Sequence, residues 1–338
     1  MREGGRSPLM ESKSSLLLSI CIPTYNRADM LRQALDSIIP QIADHEAEIV
    51  VVDNASSDET PALVREYMQS QTCVRYVRQQ ENVGFDRNII TCIEQARGRY
   101  ISLFSDDDIA LPGAFQRVLQ EIARGDPAII CLNLYPFQGD HYLRGYSPTG
   151  PKRDIVFRSG KEFFLFARLG FLSVLTLRAD YARRFIPSVR VGLGYAHTDI
   201  AARIALSMQG PFLFIGTQMV AARAPSRPSY DAISSIHIHS AEFLHNLESE
   251  GLLDSRDTRR MLDYLVKGRL WRDLLRKKCL GDEQQLVSQK GQLYQYYGWH
   301  PLFRLYAFII FLLPRPLLQL PFRAAVLLNS ALKGMRDG

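Results

Sequence analysis

Three carboxylates in a row, Asp106, Asp107 and Asp108, follow Ser105 at the end of the apolar run RYISLFS. At close range such neighbours repel by about 1 kcal/mol or more unless a cation or hydrogen bonds compensate. A divalent cation is one remedy: hard oxygen ligands select Mg²⁺ or Mn²⁺, which takes a diphosphate through its free coordination positions. An exposed acidic turn is the plain alternative. Three further polar clusters come before it, Pro23-Thr24-Tyr25-Asn26-Arg27, Asp53-Asn54-Ala55-Ser56-Ser57-Asp58 and Glu81-Asn82-Val83-Gly84-Phe85-Asp86-Arg87-Asn88. Either of the first two alone reads as a turn and a helix cap. In the third, Gly84 permits a tight backbone, and Asn82 and Asn88 offer amides.

These clusters recur where one periodicity hands over to another. LLLSICI, EIVVVD, VRYVRQ, RYISLFS and AIICLNL are runs of strand length, and ADMLRQALDSIIPQI, ETPALVREYMQS, FDRNIITCIEQA and PGAFQRVLQEIA carry apolar residues at helical spacing. The alternation predicts β-α-β units on a parallel sheet from Leu16 to about Leu134. Ser57 or Asp58 is expected to cap the second helix, and Pro112 to occupy the first turn of the fourth. Doubly wound sheets set their sites at the carboxyl ends of strands, and all four clusters fall there. Residues 135–160 read as a long loop, in which Gly150-Pro151-Lys152-Arg153 is either a flap over a ligand or a plain connection. SVLTLR and PFLFIG are further strands, and the chain reads as helical from about Ile233 to Gln295.

Taken in order, PTYNR, VVDNASSDET, ENVGFDRN and a strand ending SDDD before a proline-led helix, the segment from about Ser19 to Ala123 resembles family 2 glycosyltransferases of the GT-A fold. The resemblance implies an α/β fold with a Rossmann-like mixed sheet flanked by helices, a nucleotide-diphosphate-sugar donor, a D-x-D-type site for Mg²⁺ or Mn²⁺, and inversion at the anomeric carbon. Carried over by position, Pro23, Thr24, Tyr25 and Arg27 line the nucleotide pocket, Asp53 accepts from the base, and Asn82 and Asn88 border the nucleotide. Asp106 falls where the family's ribose-contacting carboxylate lies and Asp107 where its metal ligand does. Asp108 is a second ligand or a neighbour that holds the first in place, and Ser105 stands where many members have another Asp. The family also places an acidic general base well after the metal motif, often as Glu-Asp before a helix. Here Gly194-Tyr195-Ala196-His197-Thr198-Asp199 lacks that pair, so Asp199 is the candidate base, with His197 a backup or a group touching metal or phosphate. Asp199 as the cap of the following helix is the alternative.

Size and composition set the frame. With 338 residues and 46% hydrophobic content, disorder of the whole is excluded, and the expectation is residues 1–15 as a disordered N-terminus, 16–225 as a catalytic domain and 226–338 as a helical region. Within the catalytic domain, 16–134 is the nucleotide-binding half and 135–225 the acceptor half. The five cysteines form no C-x-x-C pair and read as reduced core residues, and the apolar segment Leu16 to Ile22 is too short for a secretory signal, so a cytoplasmic compartment is expected. From Arg256 to Gly338, fifteen Lys or Arg stand against six Asp or Glu, a balance of +9 in a chain of +6. That basic end implies an anionic partner. Arg259 to Lys278 puts Leu262, Leu265, Val266, Leu270, Leu274 and Leu275 near one helical face, and LYAFIIFLLP follows at 305–314. Attachment to an anionic leaflet fits both, and so does packing of the first face on the catalytic domain. His237, His239 and His245 lack a carboxylate or cysteine at ligand spacing.

The leading expectation is a peripheral enzyme at the inner face of the cytoplasmic membrane, moving one sugar to a lipid-linked saccharide in bacterial surface-polysaccharide (O-antigen-type) assembly. The resemblance extends to short transferases of such pathways, abequosyltransferase-like ones included. A sugar-nucleotide pyrophosphorylase ranks lower because the loop after the first strand has no glycine. A non-catalytic nucleotide-binding scaffold is the remaining rival. Nucleic acid is not an expected partner, since the aromatics of the basic end are not spaced for stacking on bases.

Overall fold

Side chains covered on both faces make strands of the apolar runs, as a parallel sheet requires. The structure is a computed structural model that describes residues 16–42, 46–139, 153–167, 169–224, 231 and 233–319. The expectations for residues 1–15, most of the 150–153 flap and the end of the apolar tail lie outside these residues. The chain divides into two compact units, Met1–Ser226 and Arg227–Gly338.

In the first unit, β1 (Leu18–Thr24), α1 (Ala28–Ile38), β2 (Ala47–Asp53), α2 (Thr60–Ser70), β3 (Val74–Arg78), α3 (Phe85–Gln95) and β4 (Tyr100–Leu103) follow one another as expected. All seven residues of β1 and of β2 are buried. The helix α1 buries Leu31, Ala34, Leu35 and Ile38, the 3.6-residue stripe read from its sequence. Then come β5 (Ile109–Ala110), α4 (Ala114–Gly125), β6 (Ile129–Phe137), β7 (Ile155–Phe157), α5 (Gly160–Ala167), β8 (Leu175–Arg178), α6 (Ala179–Phe185), α7 (Ala196–Ser207) and β9 (Phe212–Arg223).

The sheet order is β3-β2-β1-β4-β8-β6-β9-β5, with β7 paired to β9. The first four strands are parallel. Beyond them the reading of one parallel sheet to Leu134 needs correction: β8 inserts antiparallel between β4 and β6, pairing Ser102 with Thr176 and Ile130 with Thr176. The buried hydroxyls of Thr176 and Ser102 meet at 3.0 Å across the β4–β8 pair, which satisfies two polar groups in the core. The sheet is therefore mixed, as the GT-A resemblance implied. Residues 135–160 are not one loop either, because β6 runs on to Phe137 and β7 lies within the stretch. Pro112 precedes α4 instead of entering it, since left-handed Gly113 (φ 88°) is the N-cap. Asp58 accepts from the first amides of both α2 (Thr60, 3.0 Å) and α1 (Ala28, 3.1 Å), so one carboxylate serves two helix starts.

The second unit is helical among its described residues: a π-helical turn Ile233–Ile238 leading into α8 (His239–Ser249), then α9 (Ser255–Leu265), α10 (Trp271–Leu280), α11 (Glu283–Ser288), α12 (Lys290–Tyr297) and α13 (Pro301–Leu312). Leu262, Val266, Leu270 and Leu274 are fully buried. With α10 packed against α13 and α9 against α8, the apolar face of 259–278 serves this unit's own core, where the sequence left an anionic leaflet and the catalytic domain both open. Asp231 accepts from Lys277 (2.5 Å) and Ser234 (2.9 Å), and these bonds outweigh burial to hold its carboxyl near 2. None of the five cysteines is in a disulfide, and all are buried.

Candidate active site

Every polar cluster picked out by residue type arrives at the carboxyl ends of β1 to β4, and side chains lace the clusters together. Asn26 turns the chain in the left-handed region (φ 53°), donates its amide to Ser56 Oγ (2.9 Å) and accepts from Ser57 N–H (2.8 Å). Asn54 then bridges the second cluster to the third, giving an Nδ2 hydrogen to Asn82 Oδ1 (2.8 Å) and accepting from Val83 N–H (2.9 Å). Asn82 Oδ1 also accepts from Gly84 N–H (3.0 Å), where φ of 83° suits glycine. Asn88 donates to the β2 carbonyl of Val52 (3.0 Å).

The clusters enclose a cavity of about 410 Å³. Seven of the eight residues assigned to the nucleotide line it: Pro23, Thr24, Tyr25, Arg27, Asn82, Asn88 and Asp106. Asn54, Phe85 and Leu172 line it as well. Buried Asn88 leaves its Oδ1 without a hydrogen-bond partner, an acceptor that a bound hydroxyl or N–H would satisfy. Asp53 is the exception. It is fully buried and off the cavity wall, where it accepts from Ser56 N–H (2.9 Å) and the Tyr76 hydroxyl (2.5 Å) and lies 3.5 Å from Arg78 Nε.

The three aspartates diverge. Asp106 is buried, accepts from Thr24 Oγ1 (2.8 Å) and shares Arg27 Nη1 with Asp107, at 3.0 Å to each. Burial pushes its carboxyl up to about 6, the Arg27 charge opposing and Asp107 assisting. Asp107 is partly exposed and accepts from Ser105 Oγ at 2.6 Å. Asp108 turns to Ser173 Oγ (2.5 Å) and Arg223 N–H (2.8 Å), and burial with the Asp107 charge raises it to about 7. Among the described residues no three His, Cys, Asp or Glu side chains converge as a metal cage. The Asp106–Asp107 pair nevertheless already brackets a cation, the Arg27 guanidinium. One or two carboxylates completed by substrate oxygens is the way Mg²⁺ is usually held. The donor set thus fits a divalent ion at Asp107 with Asp106, the carboxylate expected at the ribose, beside it, while the oxygens of Asp108, expected as a second ligand or a holding neighbour, are engaged by Ser173 Oγ and Arg223 N–H.

Asp199 and His197 sit on α7, and neither lines the cavity. Asp199 is buried against Arg203 Nε (2.8 Å). It is not the helix cap, because Tyr195 holds that position and Asp86 accepts the first helical amide, that of Ala196 (3.0 Å). His197 meets the Phe85 ring edge-on at 5.8 Å and has Nε2 3.3 Å from the Gly170 carbonyl. Burial holds its imidazole below the ordinary value despite that carbonyl and Asp86. Asp86, Ser173 and Arg223 escaped the reading of the sequence. Arg223 gives Nε to the Asp107 carbonyl (3.0 Å), Nη1 to Gly139 O (2.7 Å) and Nη2 to Gln33 Oε1 (2.7 Å), so it braces the acidic turn from a strand end distant in sequence.

The family described as Glycosyl transferase family 2 matches residues 19–175. The chain is 37% identical over 95 residues to abequosyltransferase RfbV of Salmonella typhimurium, covering 28% of each chain. It is 32% identical over 171 residues to the GalNAc(5)-diNAcBac-PP-undecaprenol beta-1,3-glucosyltransferase of Campylobacter jejuni, covering 50% of this chain and 54% of that one. These matches span between about a quarter and just over half of the curated relatives' length. In structure it is similar to residues 1–349 of S. aureus TarS, with TM-score 0.62, 14% identity and 84% and 79% of the two chains covered. TarS has also been solved with UDP-GlcNAc. Mannosyltransferase PcManGT from Pyrobaculum calidifontis, solved with GDP-Man and Mn²⁺, aligns with TM-score 0.53, 17% identity and 87% and 84% coverage.

Proposed function

Since the chain carries a glycosyltransferase family 2 domain at residues 19–175, we propose that it moves a sugar, with inversion, from a nucleotide-diphosphate donor to a lipid-linked saccharide of a bacterial surface polysaccharide. The observation that carries this reading is the cavity at the carboxyl ends of β1 to β4 in which Thr24, Arg27, Asn82, Asn88 and Asp106 meet. The lipid-linked acceptor is supported by one relative, the glucosyltransferase whose name carries an undecaprenol-linked saccharide. A peripheral place at the inner face of the cytoplasmic membrane fits α13, which exposes Leu305, Phe308 and Leu312. Among the described residues no helix is long and apolar enough to cross a membrane.

In this reading Tyr25, Phe85 and the Asn54–Asn82 pair wall the nucleotide, and the free Oδ1 of Asn88 accepts from it. Asp53 acts at the base end by fixing Ser56 and Tyr76, with any direct contact requiring Tyr76 to yield. Asp106 and Asp107 would hold Mg²⁺ or Mn²⁺, which when bound offsets charge on the departing diphosphate. Arg27, on the cavity wall, carries the guanidinium that would pair with phosphate oxygens. Asp199 takes the proton of the attacking hydroxyl, with Arg203 orienting its carboxylate. His197 stays behind Phe85, its ring meeting the face of the wall that the cavity does not see.

Thermal-shift measurements with UDP, GDP, CDP and dTDP and their sugars, with and without MnCl₂, test the proposal. At least one nucleotide is expected to raise Tm by about 3 °C or more at saturating ligand, only with metal. Asp107→Ala is expected to remove that metal-dependent part. No response from the wild type to any nucleotide, or an equal response from Asp107→Ala, overturns the assignment.

A further inference from the structure

One carboxylate outside the catalytic assignments ties the donor cavity to the helix that carries Asp199. Asp86 lies in the first turn of α3, next to Phe85, and is buried. Among the described residues none of its side-chain hydrogen bonds goes to the cavity polar groups named above. Instead Asp86 Oδ2 accepts from Gly192 N–H (2.7 Å) and Gly194 N–H (2.9 Å), and Oδ1 accepts from Ala196 N–H (3.0 Å). Gly192 and Gly194 have φ of 100° and 76°, the left-handed region that lets two amides two residues apart turn onto one oxygen. Ala196 is the first residue of α7, and its N–H is one of the donors a helix start leaves unpaired. The same carboxylate therefore sits in the first turn of α3 and at the start of α7, where helix dipoles favour negative charge.

We propose that Asp86 is a positioning residue that locks residues 192–196 and the start of α7 to the Phe85 wall of the donor cavity, so that donor binding and ordering of the acceptor-side loop are coupled. This rests on the glycosyltransferase reading for the identity of the ligand, but the lock itself rests on the three hydrogen bonds. Phe85 completes the linkage. It is 45% exposed, lines the cavity on one side, and presents its ring to His197, the second residue of α7, on the other. A nucleotide stacked in the cavity presses on Phe85, one residue from Asp86. Tighter packing of the α3 start is passed through Asp86 to Gly192, Gly194 and Ala196, and through α7 to Asp199 in the next turn. Charge-assisted bonds to three amides of one short loop make this a stiff connection.

Hydrogen exchange of the full chain tests it, with UDP plus MnCl₂ and GDP plus MnCl₂ as probes. In the ligand-free wild type the amides of Gly192, Gly194 and Ala196 should be protected, and Asp86→Ala should raise their exchange by about tenfold or more while β1 and β2 amides hold. In the wild type, whichever probe binds should slow these three amides further. In Asp86→Ala that response should vanish although probe affinity stays within about threefold. A purely structural brace predicts faster exchange without loss of the probe response, and that result overturns the coupling. Unchanged ligand-free exchange in Asp86→Ala overturns the lock. If Asp86→Ala does not fold, Asp86→Asn carries the same comparisons, since it keeps one acceptor oxygen and must release at least one of the three amides. If neither probe binds the wild type, CDP or dTDP plus MnCl₂ takes its place; if none of the four binds, the donor reading fails and the coupling with it, while the ligand-free comparison still decides the lock.

Discussion

Arg27 holds one positive charge between Asp106 and Asp107, and Asp108 has only neutral donors, Ser173 Oγ and Arg223 N–H, on its carboxylate oxygens. That difference decides how the two buried carboxyls titrate. Burial, reinforced by Asp107, raises both, Asp106 to about 6 and Asp108 to about 7 from an ordinary 3.8. A carboxyl raised on folding adds stability that is complete below the unfolded value and lost as pH rises through the folded one. For Asp108 the window runs from about pH 4 to about pH 7. Asp108→Asn keeps an acceptor oxygen but cannot ionise, so its Tm minus that of the wild type should grow by about 3 °C between pH 5 and pH 8 in metal-free buffer. A difference that is flat or shrinks over that range shows that Asp108 is already ionised at pH 5. At this scale much of the site was legible, because Thr24, Arg27, Asn82, Asn88 and Asp106 each stand at or beyond the carboxyl end of a strand and one-dimensional order delivers them to one rim. Asp108 was less so, since its partners Ser173 and Arg223 are 65 and 115 residues away in sequence.

Those distances trace to the elements. Periodicity located β1 to β4 and α1 to α4 because each repeats one pattern over enough residues to be read. It gave no sign that β8 would wedge antiparallel between β4 and β6, since pairing partners are set by packing of the whole sheet and not by local pattern. The same wedge brings Ser173 beside the acidic turn. A second long-range fit is the crossing of α5 and α7. A Cβ placed on Gly160 would fall 1.7 Å from the Ala205 carbonyl oxygen and 2.7 Å from its carbon, so here backbone meets backbone and no side chain can yield. Gly160→Ala must push α5 off α7, the helix with His197 and Asp199, at a cost of about 2–3 kcal/mol. The expected outcome is a Tm lowered by about 4–10 °C, read by calorimetry, with nucleotide affinity nearly kept because the cavity is built by α3 and the first four strands. A variant as stable as the wild type shows that the crossing is looser than described.

Charge and apolar surface act over the molecule as a whole. The balance of +9 from Arg256 onward pointed to an anionic partner, and the apolar face of 259–278 pointed to the same place. The structure separates the two signals: that face is core, and α13 leaves apolar side chains uncovered. There Phe303, Ala307 and Ile310 are buried, while Leu305, Phe308 and Leu312 are 59–62% exposed on the other side. The pattern could not be divided from sequence because, Arg304 and Tyr306 aside, α13 carries apolar residues on every side, and only contacts say which side is inside. Cations border the exposed side: Lys290 lies 5.4 Å from the Phe311 ring, and Arg304 and Arg315 bond the carbonyls of Gly298 and Cys279. An apolar stripe edged with basic side chains is the pattern of a helix lying in an anionic interface. The full chain should therefore sediment with vesicles of phosphatidylethanolamine and phosphatidylglycerol, more weakly at high salt, and poorly with phosphatidylcholine alone. Leu305→Ser, Phe308→Ser and Leu312→Ser together should lower the bound fraction about tenfold or more while melting stays cooperative, because three exposed side chains are changed and none of the core. Binding that survives the triple change places the contact elsewhere. A wild type that is dimeric in light scattering, becomes monomeric in the triple variant and never binds vesicles identifies the stripe as a surface for a second copy of the chain.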